Sequence, residues 1–525
     1  MLVALCLGLV GTTPRARAQS EKPAFGDDAQ ASSAAASKAE VDQLRKELAA
    51  QRRTIERLEV LVEQLTDAKT RAPAAAPEAH LVNANLMQPT AVAEAEPEPA
   101  VPLEVSNQKT PEKSTSPVTA GWNGEHFFIK SADGQFQIQP YGYVQTDYRS
   151  YTGDGAPPDT FSVRRARFGF QGNYGDHYQF GLLVDAAATT GAIIRDVYIN
   201  AKYNNALQLQ AGQFKEPFAQ EEITGVTNID FTERGLQSAL YPSAASAFRS
   251  PGVTIHGDIR GGAFQYWAGV FNGKGYATNN TTSVPETVGR VRFYPWRNGD
   301  KDFILHNFAF GGSIAYSQSR GLSNETSPPM AMNDTAYTWF PQFPVNGNVW
   351  RYEGEFTFIR GPLALRDEYV AASFNRTGVG TQQLGGLGFA NLPNIRYQGW
   401  NSAVTYIITK ELRPENGTPR VKHPVFGPVT ETGGQRGWGA WEVGFRYSGI
   451  QGNEPGIFFN NLFTPQLVPT FNRHTDQFTF GVNWYLNYWV RFQSNIDIDR
   501  LKDPSTIGAV PQNYVVFQQR LQFRF

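Results

Sequence analysis

Long apolar runs are what this chain most lacks. Beyond its first ten residues no stretch approaches the roughly 20 apolar residues that a spanning helix needs. With a mean hydropathy of −0.40, a helical membrane protein is excluded. Cysteine is almost absent, Cys6 being the only one among 525 residues. It lies in residues 1–18, which read as a secretory signal: an apolar run from Met1 to Val10, then the small-x-small ending Ala16-Arg17-Ala18. Once that segment is removed no thiol is left, which rules out disulfides, thiolate metal sites and a cysteine nucleophile and suits an oxidising compartment. An excess of one charge is also missing, with 47 Lys+Arg against 48 Asp+Glu, and this argues against a nucleic-acid partner. The seven His are scattered, and no zinc-protease, nucleophile-elbow or phosphate-loop motif occurs. No metal, cofactor or enzymatic activity is therefore expected.

Aromatics and glycine are abundant: 36 Phe, 22 Tyr, 10 Trp and 50 Gly. A chain that is aromatic-rich yet polar on average suits strands with an apolar outer face and a polar inner one, the pattern of a transmembrane β-barrel. From Gly121 to Phe525 the apolar period is two. Ala166, Phe168 and Phe170 alternate with Arg167, Gly169 and Gln171, and Phe478, Phe480, Val482 and Trp484 with Thr479, Gly481 and Asn483. In the last run Val515, Phe517, Leu521, Phe523 and the terminal Phe525 share one face, with Gln518, Arg520, Gln522 and Arg524 on the other. An aromatic residue ending such a strand resembles the signal read by the barrel-assembly machinery, which assigns that role to Phe523 and Phe525. At about 25 residues per strand with its connection, this region predicts an all-β antiparallel barrel of about 16 strands, with outer-membrane lipid around it.

The preceding residues read differently. Residues 19–36 lack periodicity and read as disordered. Over 37–69, Val41, Leu44, Leu48, Ile55, Leu58, Val62 and Leu65 follow a heptad pattern broken only at Gln51, within a balanced charged exterior. This predicts a short α-helical coiled coil, placed in the periplasm, that reinforces a trimer or touches the peptidoglycan. Residues 70–120 are rich in Pro, Ala and Glu and read as an extended linker.

Within the barrel, charge placement matters more than charge sum. The inward phase carries Arg165, Arg167, Arg290, Arg292, Arg366, Arg446, Arg491 and Arg520 against Asp185, Asp196, Glu353, Glu355, Glu368, Asp497 and others. Arg164 reaches the same face only if the strand ends or bulges beside it. Such opposed charges set a field across a narrow lumen, and a local arginine excess favours anions. Glu353 and Glu355 beside Arg351 read as lumen lining rather than as an acid/base or metal pair. About 35 residues between the run ending at Lys215 and the one beginning near Val253 lack strand alternation, and a loop of this length is expected to fold inward and narrow the pore.

The run Ser162-Val163-Arg164-Arg165-Ala166-Arg167-Phe168-Gly169-Phe170-Gln171-Gly172, then Asp196-Val197-Tyr198-Ile199, then Gly212-Gln213-Phe214-Lys215-Glu216-Pro217-Phe218 with Glu221-Glu222, and Gly269-Val270-Phe271-Asn272-Gly273 resemble the phosphate-selective porins O and P. The resemblance spans Gly121 to Phe525. It implies a 16-stranded trimeric outer-membrane porin with an arginine ladder and a basic constriction. By that match Arg164 and Arg165 are constriction arginines and Lys215 is the matching lysine, with Asp185 or Asp196 as acidic partner. The expectation is a diffusion channel that prefers anions, phosphate or other small anions among them. The alternatives are a weakly selective general porin, or a cell-wall tether anchored by its barrel.

Overall fold

The structure is a computed structural model that describes residues 118–123, 126–153, 156–188, 193–276, 278–280, 282–322, 344–379, 390–426, 436–459, 465–502 and 513–525. The readings of a signal segment, disordered segment, coiled coil and linker fall almost wholly on residues outside that set.

Two short strands, β1 (Val118–Trp122) and β2 (Phe127–Ser131), form a hairpin. The wall follows, and it begins at Phe136 rather than at Gly121. Its strands are β3 (Phe136–Thr152), β4 (Thr160–Tyr174), β5 (Tyr178–Asp185), β6 (Ile194–Asn204), β7 (Leu207–Lys215), β8 (Arg249–Ile259), β9 (Phe264–Phe271) and β10 (Glu286–Phe293). They continue as β11 (Phe308–Leu322), β12 (Pro344–Arg360), β13 (Leu363–Val379), β14 (Ala390–Ile407), β15 (Ala440–Phe459), β16 (Pro465–Tyr485), β17 (Val490–Lys502) and β18 (Asn513–Arg524). Each pairs antiparallel with the next, and β18 returns to β3 through Phe523↔Val144 and Leu521↔Thr146. The result is a closed ring of 16 strands. Closure removes every edge, so all the backbone groups of a wall placed in lipid find partners.

Alternation dictates the two faces. On β18, Phe517, Leu521 and Phe523 are exposed outward while Gln518, Arg520 and Gln522 are buried inward. An apolar outer face of this kind is covered by lipid rather than by a second sheet. Cross-strand ring pairs Phe264–Phe293 (4.8 Å) and Phe293–Phe310 (5.5 Å) lie at the end of the wall that carries the short turns 260–263, 361–362 and 486–489, and Trp441–Trp484 stack at 5.1 Å at the same end. These belong to the aromatic belt of a membrane interface.

The inner face departs from the simple rule. Val349, Val370, Ala372, Ile395 and Ile450 occupy the inward phase of β12 to β15, yet they are apolar and buried. They seat the connection between β7 and β8, residues 216–248, whose Phe218, Leu236, Leu240, Tyr241 and Phe248 complete one apolar cluster inside the barrel. The 3-10 turn Leu236–Leu240 lies against β14. There Gly399 leaves room for it: a Cβ at that position would come within 2.9 Å of Gln237. The connection thus folds inward, as its length predicted.

Candidate functional site

The inward loop is held at both ends of its single helical turn, α1 (Gln220–Ile223). Its first amides lack a side-chain cap. Instead, Gln220 N donates to Glu355 Oε2 (2.8 Å) and Glu221 N to Glu368 Oε1 (2.6 Å), which satisfies orphan donors with carboxylates where the helix end is positive. At the other end Lys215 Nζ donates to the carbonyls of Ile223 (3.2 Å) and Thr224 (2.9 Å), and Arg234 Nη2 to Thr224 O (2.8 Å). Glu355 also receives Arg290 (2.6 Å) and Arg292 (2.7 Å). Glu353, Glu355 and Glu368 lie close enough to suggest a metal site. However, Glu355 is engaged by Gln220 N and two arginines, and Glu368 by Glu221 N, Gln237 Nε2 (3.3 Å) and the Tyr241 hydroxyl, so these two carboxylates anchor the loop.

Further along the loop the arginine ladder grips the backbone and two acids. Arg491 donates to Ile229 O (3.1 Å), Arg446 to Glu233 O (2.7 Å) and Arg520 to Thr232 O. Asp230 accepts from Arg366 (2.5 Å) and from Arg413. The Glu233 carboxylate accepts from Arg164 Nε (2.8 Å), Arg520 Nη2 (2.8 Å), Arg149 Nη2 (3.0 Å) and Arg165 Nη2 (3.2 Å). Burial alone would raise this carboxyl, but Arg164, Arg165, Arg520 and Arg149 together hold it well below the usual carboxylate range. Arg164 joins the group because the register slips beside it: Gln145 pairs with Arg165 and Thr146 with Val163. That bulge breaks the period of two and turns two consecutive arginines toward the lumen.

A second segment enters from the short-turn end. The connection between β14 and β15 brings Glu415 to Arg292 (2.7 Å) and to the Tyr294 hydroxyl (2.6 Å), and Asn416 to Gln220 Nε2 (3.1 Å). Loop and segment meet here, and a gap of about 40 Å³ remains between them and the wall beside Asp230 and Arg366.

Next to this narrowing lies a wider cavity of about 490 Å³, open toward the short-turn end. Five cationic side chains line it, Arg167, Lys215, Arg249, Arg420 and Arg524, with one acidic side chain, Asp196. Arg167 pairs with Asp185 (2.8 Å) and the Tyr143 hydroxyl (2.8 Å). Arg249 holds Asp196 through Nε (2.7 Å) and Nη2 (2.9 Å). Arg524 lies 3.9 Å over the Tyr488 ring.

The residues expected to form one constriction therefore divide between two places. Arg164 and Arg165 meet at Glu233, whereas Arg167, Lys215 and Asp196 line the cavity. Of the two candidate acids, Asp185 serves Arg167 and Asp196 serves Arg249. Arg290, Arg292, Arg366, Arg446, Arg491 and Arg520 all face inward as expected, and each of them contacts the loop. Sequence reading missed Glu233, Asp230, Arg149, Arg249 and the Arg413–Arg420 segment. Arg249 had a signal, since it follows the loop directly and pairs across from Lys215. The segment had one as well, in the length of residues 408–439 without alternation.

Two consequences are measurable. Arg249→Met leaves Asp196 buried without its partner, a loss of about 3–5 kcal/mol, and should lower the temperature at which the barrel loses its heat-modifiable gel mobility. Glu222 is fully buried on α1 and its carboxylate oxygens have no hydrogen-bond partner among the described residues. Burial raises its carboxyl well above the usual range against the opposing fields of Lys215 and Arg234. The folded chain then holds this proton more tightly than the unfolded chain, so stability falls as pH rises past about 4.3. Glu222→Gln should leave the thermal midpoint unchanged near pH 4 and raise it near pH 8; equal midpoint changes at both would contradict this.

The model of the family described as phosphate-selective porin O and P matches residues 138–525. No curated protein matches the chain. Among solved structures it resembles an outer-membrane-expressed OmpT of Vibrio cholerae (12% identity, 74% of this chain, 98% of that one, TM-score 0.44). It also resembles the outer membrane channel DcaP of Acinetobacter baumannii (12%, 75%, 99%, 0.43) and OprB of Pseudomonas putida (13%, 75%, 95%, 0.42). With the match spanning the whole wall from early β3 to β18, the chain belongs to the phosphate-selective porin O and P family and forms an outer-membrane channel.

Proposed function

We infer that this channel is a passive diffusion path that prefers small anions, phosphate among them, and that it carries out no chemical step. The observation behind this reading is the cavity beside the constriction, where five cationic side chains face a single acidic one. Arg167 and Arg249 pair with Asp185 and Asp196, and the side chains lining the cavity carry more positive than negative groups. In a space walled by protein such an excess raises the local anion concentration. Arginine forks then replace part of the hydration shell of an oxyanion. The reading also takes the assembly to be a trimer, as the family resemblance implies, with the N-terminal stalk in the periplasm supporting it. Proteoliposomes test it. Phosphate should leave them faster than a neutral sugar of similar size, and equal rates would favour a general porin.

A further inference from the structure

One cationic group in the lumen already holds an anion, and that anion is part of the chain. Arg149 on β3, Arg164 and Arg165 on β4 and Arg520 on β18 converge on the Glu233 carboxylate, with nitrogen-to-oxygen distances of 2.8 to 3.2 Å. Both carboxylate oxygens are engaged: Oε1 by Arg149, Arg164 and Arg520, and Oε2 by Arg165 and by the second nitrogen of Arg164. One further acid, Asp147, sits behind the group and takes Arg520 through two hydrogen bonds of 2.7 Å. Four guanidinium groups thus face two carboxylates. Glu233 is carried on the inward loop rather than on a wall strand, and the Arg164 side chain is 39% exposed, so the group opens toward the lumen on that side.

We propose that Glu233 is an internal counter-ion occupying an oxyanion-binding site formed by Arg149, Arg164, Arg165 and Arg520, and that a permeating oxyanion passes by exchanging with it. This rests on the anion-channel reading. A bare cluster of four arginines would bind a small oxyanion tightly and release it slowly, which stops a channel, since conduction needs binding weak enough to permit exit. A tethered carboxylate offers the same donors the same acceptor geometry. When the solute enters, its hydrogen bonds replace those of Glu233, and when Glu233 returns it helps to expel the solute. Exchange of one oxyanion for another keeps every guanidinium paired throughout, so no arginine is left buried without a partner. Chloride, with no paired oxygens, competes poorly for forked donors.

The test uses the purified full chain in planar bilayers, with chloride current recorded while inorganic phosphate is titrated. Glu233→Gln keeps the shape of the side chain and removes its charge; Glu233→Ala vacates the site. In both variants the half-blocking phosphate concentration should fall on the order of tenfold and individual block events should lengthen. In Glu233→Ala, added acetate should compete with phosphate and shift the block back toward wild type. Heat-modifiable mobility checks assembly, and if the alanine variant does not assemble, the glutamine variant decides the matter. If Glu233 only pins the loop, its loss raises current for both ions and leaves the phosphate block unchanged, which overturns the proposal. Wild-type channels that favour potassium would overturn the anion reading and this proposal with it. Anion-preferring wild-type channels with unaltered block in both variants overturn the proposal alone.

Discussion

Removal of residues 219–246, with a short glycine bridge in their place, should raise single-channel conductance severalfold while the barrel still assembles. Assembly survives because the wall does not depend on the loop: Lys215 already pairs with Arg249 across β7 and β8, and the ring closes through β18 and β3. Conductance rises because the loop fills the lumen. Its Leu236 and Leu240 lie buried against β12 to β15, and its backbone is held by Arg446, Arg491 and Arg520. Without the loop those arginines face water rather than a dry interface, so the cost of leaving them unpaired is small. An unchanged conductance would mean that the narrowest point lies elsewhere, with the Arg413–Arg420 segment the first place to look.

The second large effect concerns selectivity. Replacing Lys215, Arg420 and Arg524 together by Gln leaves Arg167 and Arg249 as the cations lining the cavity, and these are matched by Asp185 and Asp196. The excess of cationic over acidic side chains lining the cavity is removed, and the anion preference should nearly vanish, because selectivity follows the sign of the charge at the narrow part of a pore. Conductance should change much less, since Gln keeps most of the volume. Reversal potentials for variant and wild type in the same salt gradient check this. If the triple variant retains full anion preference, the selective step lies at Glu233 and its arginines instead.

Much of this architecture was legible in the sequence, and what was not legible has physical reasons. The period of two on β18 separates Phe517 and Phe523 from Arg520 and Gln522, because lipid on one side and water on the other select opposite residue types at alternate positions. The same alternation placed Arg290, Arg292 and Arg446 inward. It fails beside Arg164, where one extra residue in β4 shifts the register, and no linear pattern marks a bulge. It also misleads at Val349, Val370 and Ile450, which point inward but meet the apolar loop rather than water. Loop length revealed that residues 216–248 fold inward. It could not reveal that Glu233 would meet four arginines from three strands, because that pairing depends on the three-dimensional path of the loop.

The central claim is that arginine and lysine placed around a narrowed lumen make this porin prefer anions. Zero-current potential across a planar bilayer holding the purified wild-type chain in a steep KCl gradient tests it directly. The account predicts a potential of the sign set by chloride, which weakens when Lys215, Arg420 and Arg524 are neutralised. A potential of the sign set by potassium, or the absence of any conductance, would contradict it.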